Sequence, residues 1–196
     1  CALLAATELF RTTASKQYLE ECHYWSDQLI SHQQSDQNFA HFWAANQDGS
    51  RPYYHAAESG LPVIALCEYL NIEPNKDRKQ HLIKVINQAV KFELTISNMV
   101  ANPFGYPRQY VKSVDGEKRD AFFVAQNNET GYWWQGENAR LGSLSSMAFL
   151  ALAHIEDHTT KQQLLTFAQN NLNWILGLNP YHMCMLDGHG INNPDY

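Results

Sequence analysis

The sequence predicts an all-α protein built from about three helix hairpins, with one small β-hairpin in a long loop. Two patterns predict the helices. Apolar residues recur at three- and four-residue intervals through six segments. The connections between those segments alternate, short then long, and short links make antiparallel helix pairs. The strand signal is local: "YVKSVDGEKRDAFFV" places an Asp-Gly turn between β-prone flanks.

The first helix is expected over residues 2–13. The second, over 15–32, puts Tyr18, Cys22, Trp25 and Leu29 on one face. The third is expected to start after Ser50, a good N-cap, with Pro52 in its first turn, and to run to Leu70. The fourth, over 77–100, turns Leu82, Ile86, Ala89, Val90 and Leu94 inward. The fifth, over 134–156, has Leu141, Leu144, Ala148, Ala151, Leu152 and Ile155 on one stripe. The sixth runs over 160–176 and stops at Gly177, ahead of Pro180. No residue repeat of fixed period is visible, which disfavours a tetratricopeptide-like array.

Composition narrows the function. A net charge of −6 without a basic run excludes a nucleic-acid surface, and no apolar stretch of 18 residues is present to span a membrane. Cys1, Cys22, Cys67 and Cys184 are far apart and read as buried thiols, not as a zinc site or disulfide scaffold. His182 and His189 lack metal-ligand spacing, so neither a metal nor a cofactor is assigned. The opening "CALLAA" lacks the charged start of a signal peptide and reads as helix interior. With no initial Met and an end just past a glycine-rich loop, residues 1–196 read as a single region of a larger domain. Scattered thiols and no visible signal lean to a reducing interior; the compartment, cytoplasmic or periplasmic, and the oligomeric state are left open.

Three hairpins stacked side by side point their odd helices one way and their even helices the other. The long loops then fall on one face, beside the N-termini of the third and fifth helices. Long ordered loops in a compact domain commonly carry function. Three polar, aromatic stretches are expected there: "SRPYYHAAESG", "NETGYWWQGENAR" and "LGLNPYHMCMLDGHGINNPDY". Flat rings edged by hydrogen-bonding groups match a pyranose, whose faces carry C–H bonds and whose rim carries hydroxyls. Asn128, Gln135, Asn138 and Asn179 offer amides, and Arg108 and Arg140 offer fixed forks of donors.

Each candidate has a structural alternative. Trp133 and Trp134 are adjacent, so one of them belongs to the core. Glu137 either reads a ligand or complements the helix dipole and pairs with Arg140. Of Tyr53 and Tyr54, one ring is packing. His55 reads as a satisfied structural histidine, and Glu58 as either functional or exposed. Asp187, His189 and Asn192 fit Asx turns of a glycine-bearing loop.

The residues then point to a family. "ELFRTTASKQYLEEC" and "NWILGLNPYHMCMLDGHGINNPDY" resemble family 9 glycoside hydrolases. "PYYHAAESGLPVIAL" and "GYWWQGENARLGSLSSMAFLAL" are similar to its bacterial endoglucanase-related branch, which includes exo-acting glucosaminidases. The resemblance spans nearly the whole chain. It implies an (α/α)6 six-hairpin toroid, of which this chain supplies about three hairpins. It also implies hydrolysis, with inversion, of β-1,4-linked gluco-configured oligosaccharides. The family's base aspartate and acid glutamate belong to segments outside this chain. Met183, Cys184 and Met185 stand where cellulases often carry Ser or aromatic residues, which favours a divergent or amino-sugar branch. On this reading Tyr54, Trp134 and Tyr181 stack on sugars, while Arg108, Gln135, Glu137 and Asn138 bind hydroxyls or an amine. Tyr53, Glu58 and Trp133 complete the candidate substrate contacts. The rivals are a non-catalytic all-α interaction module and another toroid enzyme such as a polysaccharide lyase, whose uronate substrate calls for more cationic residues.

Overall fold

The computed structural model describes residues 2–55, 57–112, 116–123 and 136–194. The described residues form six α-helices: α1 (Ala2–Thr13), α2 (Lys16–Ser31), α3 (Leu61–Leu70), α4 (Lys76–Asn98), α5 (Glu137–Ala151) and α6 (His158–Ile175). The fold is mostly α, as the periodicity predicts, with small two-stranded hairpins.

The hairpin links follow local chemistry. Ala14, at a left-handed φ of 52°, reverses the chain between α1 and α2. Asn75 caps α4 by accepting from the backbone N–H of Asp77 and Arg78. One 3₁₀ turn, Leu152–His154, follows α5, and the Asp157 side chain then caps α6 at Thr160. Ile155, expected inside the fifth helix, is buried but lies just beyond it, in extended backbone. Gly177, with φ at 116°, ends α6 in a Schellman turn: its N–H donates to the Trp174 carbonyl, and that of Leu178 to Asn173.

The start of the third helix differs from expectation. Residues 51–55 and 57–60 are not helical, and Ser50 is not its cap. Pro52 instead bridges antiparallel to Ala44, with Ala45 N–H bonded to the Arg51 carbonyl and Tyr53 N–H to that of Trp43. The segment has pairing partners across the fold that sequence periodicity does not reveal. α3 starts ten residues later, after Gly60, with Pro62 in its first turn.

α3 packs against both α1 and α5, and these pack in turn against their hairpin partners α2 and α6. Its buried residues fall on nearly every side, including Val63, Ala65, Leu66, Cys67, Tyr69 and Leu70, which marks it as an inner helix. α1, α3 and α5 thus form the inner row. α3 and α5 touch at Gly60, whose N–H donates to Ser143 Oγ at 3.1 Å. A Cβ on Gly60 would lie 2.3 Å from the Ser143 carbonyl oxygen, so only glycine allows this approach.

Two short strands, β1 (Gln33–Gln34) and β2 (Phe42–Trp43), pair antiparallel in the loop after α2. The predicted hairpin is present as β3 (Gln109–Lys112) and β4 (Lys118–Ala121), with Tyr110 opposite Asp120. Tyr110 packs with Phe39, Phe42 and Phe92 in a second core beneath the loops. Lys118 pins the hairpin down, its Nζ donating to Asp36 Oδ2 at 2.9 Å and to the Gly49 carbonyl at 2.7 Å. Cys22, Cys67 and Cys184 are free, buried thiols. Among the described residues no helix is long and apolar enough to cross a membrane.

Candidate functional site

The loops converge at the N-terminus of α5. Gly136, at a left-handed φ of 86°, turns the chain into the helix, so that Glu137 opens it and Arg140 follows one turn later. Arg140 is only 2% exposed. Its Nε donates to both Glu137 oxygens at 3.0 Å, and its Nη2 to Glu137 Oε1 at 2.6 Å and to the Pro107 carbonyl at 3.1 Å. The Tyr106 hydroxyl donates to the same carboxylate. Burial opposes the Arg140 charge, but Glu137 outweighs it and holds the guanidinium charged. Tyr106 is itself fixed by Asn102, whose side chain accepts from its N–H and donates to its carbonyl. Much of the hydrogen-bonding capacity of the Glu137 carboxylate is thus spent within the protein.

Two cavities flank this pair. The first is a 40 Å³ cavity lined by Tyr54, Glu93, Arg108, Gln109 and Arg140, among others. Arg108 is buried, ion-paired with Asp120 across the hairpin, and its guanidinium lies 5.2 Å from the Phe122 ring centre. Burial pushes the Glu93 carboxyl up from its ordinary 4.5 to about 7, with Arg140 pulling in the other direction. The second is an open groove of 540 Å³, lined by Phe104, Tyr106, Phe122, Phe123, Trp174 and Tyr181, with Glu137 in its wall. Tyr106 stands 5.1 Å from Trp174 and 6.4 Å from Phe122, ring centre to ring centre. A groove of this size, apolar with a few polar groups, is typical of small-molecule sites.

A model of glycosyl hydrolase family 9 matches residues 2–196. The chain belongs to that family. It is a glycoside hydrolase sequence of the (α/α)6 type, and its substrate is a carbohydrate. No curated protein matches it.

The residues expected at the family 9 site fall into four groups. Tyr54, Arg108, Glu137 and Tyr181 are gathered around the two cavities. Tyr54 is half-buried, its phenol pushed up first by burial and then by Glu137, whereas Tyr181 is 69% exposed at the groove rim. Tyr53 also lines the first cavity but packs against the main core, and burial raises its phenol to about 12. Glu58 and Asn138 are exposed and line neither cavity. Asn128, Trp133, Trp134 and Gln135 lie outside the described residues.

Asn179 is a correction. Its Nδ2 donates to the carbonyls of Trp174 and Met183, and its Oδ1 accepts from the N–H of Tyr181 and Met183. A side chain so engaged holds its own loop and has little left for a sugar. His55 likewise accepts, at Nδ1, from the backbone of Ala57 and Glu58, the structural role expected of it.

Sequence reading missed Glu93, Gln109 and most of the groove's rings. Glu93 carries a signal: Ile86, Val90, Glu93 and Ser97 follow at four, three and four residues, so a carboxyl sits on the inward stripe of α4. Phe104, Tyr106, Phe122, Phe123 and Trp174 carry none, because only tertiary folding brings those loop and helix-end positions together.

Proposed function

We propose that this family 9 chain forms the substrate-cleft portion of an inverting hydrolase of β-1,4-linked glucosyl or glucosaminyl oligosaccharides. It belongs, on this reading, to the bacterial endoglucanase-related, exo-glucosaminidase-like branch, and supplies three of the toroid's six hairpins. The observation that carries the reading is that the Glu137–Arg140 pair joins a small cavity lined by Tyr54 to a ring-lined groove rimmed by Tyr181. Sugar C–H faces stack on Tyr181 and its neighbouring rings, and the polar groups at the groove wall orient the hydroxyls. Tyr54 lines the small cavity on the Arg140 side of the pair.

We place the catalytic Asp and Glu outside the chain. Inversion needs two carboxyl groups roughly 6.5–9.5 Å apart with a water between them and the sugar. Glu137 is tied to Arg140 and Tyr106, and no second carboxyl stands free across the groove from it among the residues lining the groove. The chain is therefore expected to bind cello- or chitosan-oligosaccharides without cleaving aryl cellobiosides or aryl glucosaminides. Appreciable turnover by residues 1–196 overturns the placement of the catalytic pair. Failure to bind either oligosaccharide overturns the cleft.

A further inference from the structure

The small cavity beside Arg140 is lined by residues whose hydrogen-bonding capacity is partly unmet. Arg108 is 8% exposed, and its Nε and Nη1 are buried with no partner among the described residues. Gln109 follows it on β3, and its buried Oε1 has no partner among them either, although its Nε2 reaches the Phe122 carbonyl at 3.5 Å. Both line the cavity, as does Glu93 from α4. Leaving such a buried group unpaired costs about 1–3 kcal/mol, so a polar cavity so equipped is a place to hold something polar.

The chemistry of the lining selects the occupant. An anion is disfavoured: Asp120 already pairs with Arg108 and Glu137 with Arg140, and Glu93 adds a third carboxyl. An ammonium is disfavoured by the two guanidiniums in the wall. An apolar group would leave two donors and an acceptor unpaired. What fits is a neutral group that both donates and accepts, and more than one of them. At about 10–15 Å³ per water-sized group, 40 Å³ takes roughly three. We propose that this cavity is a hydroxyl-binding subsite, in which Arg108 donates to, and Gln109 and Glu93 accept from, adjacent hydroxyls of a neutral pyranose entering past Tyr54. The assignment rests on the reading of the chain as a glycosidase cleft, and it adds Glu93 and Gln109 to the residues that discriminate between sugars.

The test is calorimetric binding of cellotriose, and of its mono-deoxy analogues, to the full chain as wild type, E93Q, Q109L and R108K. Glu93→Gln keeps the side chain's size, and thermal melts check each variant for folding. Should one variant not fold, the other two carry the comparison. Wild type is expected to lose about tenfold in affinity on removal of one specific ligand hydroxyl, and the variants to lose about tenfold on the intact sugar. The analogue lacking the hydroxyl that a given side chain pairs with should then bind that side chain's variant within twofold of the intact sugar, because the pairing partner is already gone. Variants that bind cellotriose like wild type overturn the subsite and leave only ordered water in the cavity, with the cleft itself standing. A wild type that binds neither cellotriose nor a chitosan oligosaccharide overturns both.

Discussion

The Glu137–Arg140 pair makes the sharpest prediction, because its two readings differ in what a substitution breaks. Arg140 makes four hydrogen bonds, three of them to Glu137, from a nearly fully buried position. Arg140→Met removes the cation and leaves the carboxylate, 16% exposed at its side chain, and the Pro107 carbonyl without their donor. Breaking a buried pair from one side costs about 3–5 kcal/mol, against a total stability of about 5–15 kcal/mol. E137Q strands the guanidinium instead and should cost about 3 kcal/mol, at the lower end because Glu137 is less buried. The double variant removes both charges and keeps an acceptor for Tyr106. It should cost about as much as R140M alone, giving a coupling of about 2–3 kcal/mol. Urea unfolding of the four proteins measures this. Singles below about 1 kcal/mol that simply add would refute the structural role. So would an E137Q variant of unchanged stability that no longer binds oligosaccharide, since that outcome belongs to a ligand-reading carboxylate.

Gly60→Ala drives a methyl against the Ser143 carbonyl and should cost about 2–3 kcal/mol in a thermal melt, whereas an unchanged Tm would mean α3 and α5 are not so close. Tyr181→Ala should weaken oligosaccharide binding by about tenfold while leaving stability alone, because the ring is 69% exposed; titration calorimetry and a melt together check both halves. Glu93 has a folded value of about 7 against an ordinary 4.5, so the native state holds its proton more tightly than the unfolded chain. Stability should therefore fall as pH rises from about 4.5 to about 7, by at most about 3 kcal/mol, and E93Q should be flat across that window. Asp36 works in the opposite sense: its own burial is outweighed by Lys118 and backbone donors, which hold it down at about 2. Stability that depends on it should be lost as pH falls from about 4 toward 2, and D36N should abolish that part of the acid transition.

What the sequence determined by itself was local. Helix existence, the capping of α6 at Gly177, the Asp-Gly hairpin and the alternation of short and long links all rest on spacings within a few residues, and from them came the polarity of the hairpins and the end where the loops gather. The family resemblance was legible for the same reason, being carried by contiguous motifs. Tertiary structure decided the rest. Residues 51–60 read as a helix start until Ala44 and Trp43 offered them backbone partners across the fold. Asn179 read as a sugar-binding amide until its own loop took up both ends of its side chain. Whether Glu137 paired with Arg140 was open on the helix alone; Tyr106 and the Pro107 carbonyl, from a loop some thirty residues earlier, hold the two together. Side chains spend their hydrogen bonds on whatever folding brings within about 3 Å, and that neighbourhood is not written in the spacing of a single segment.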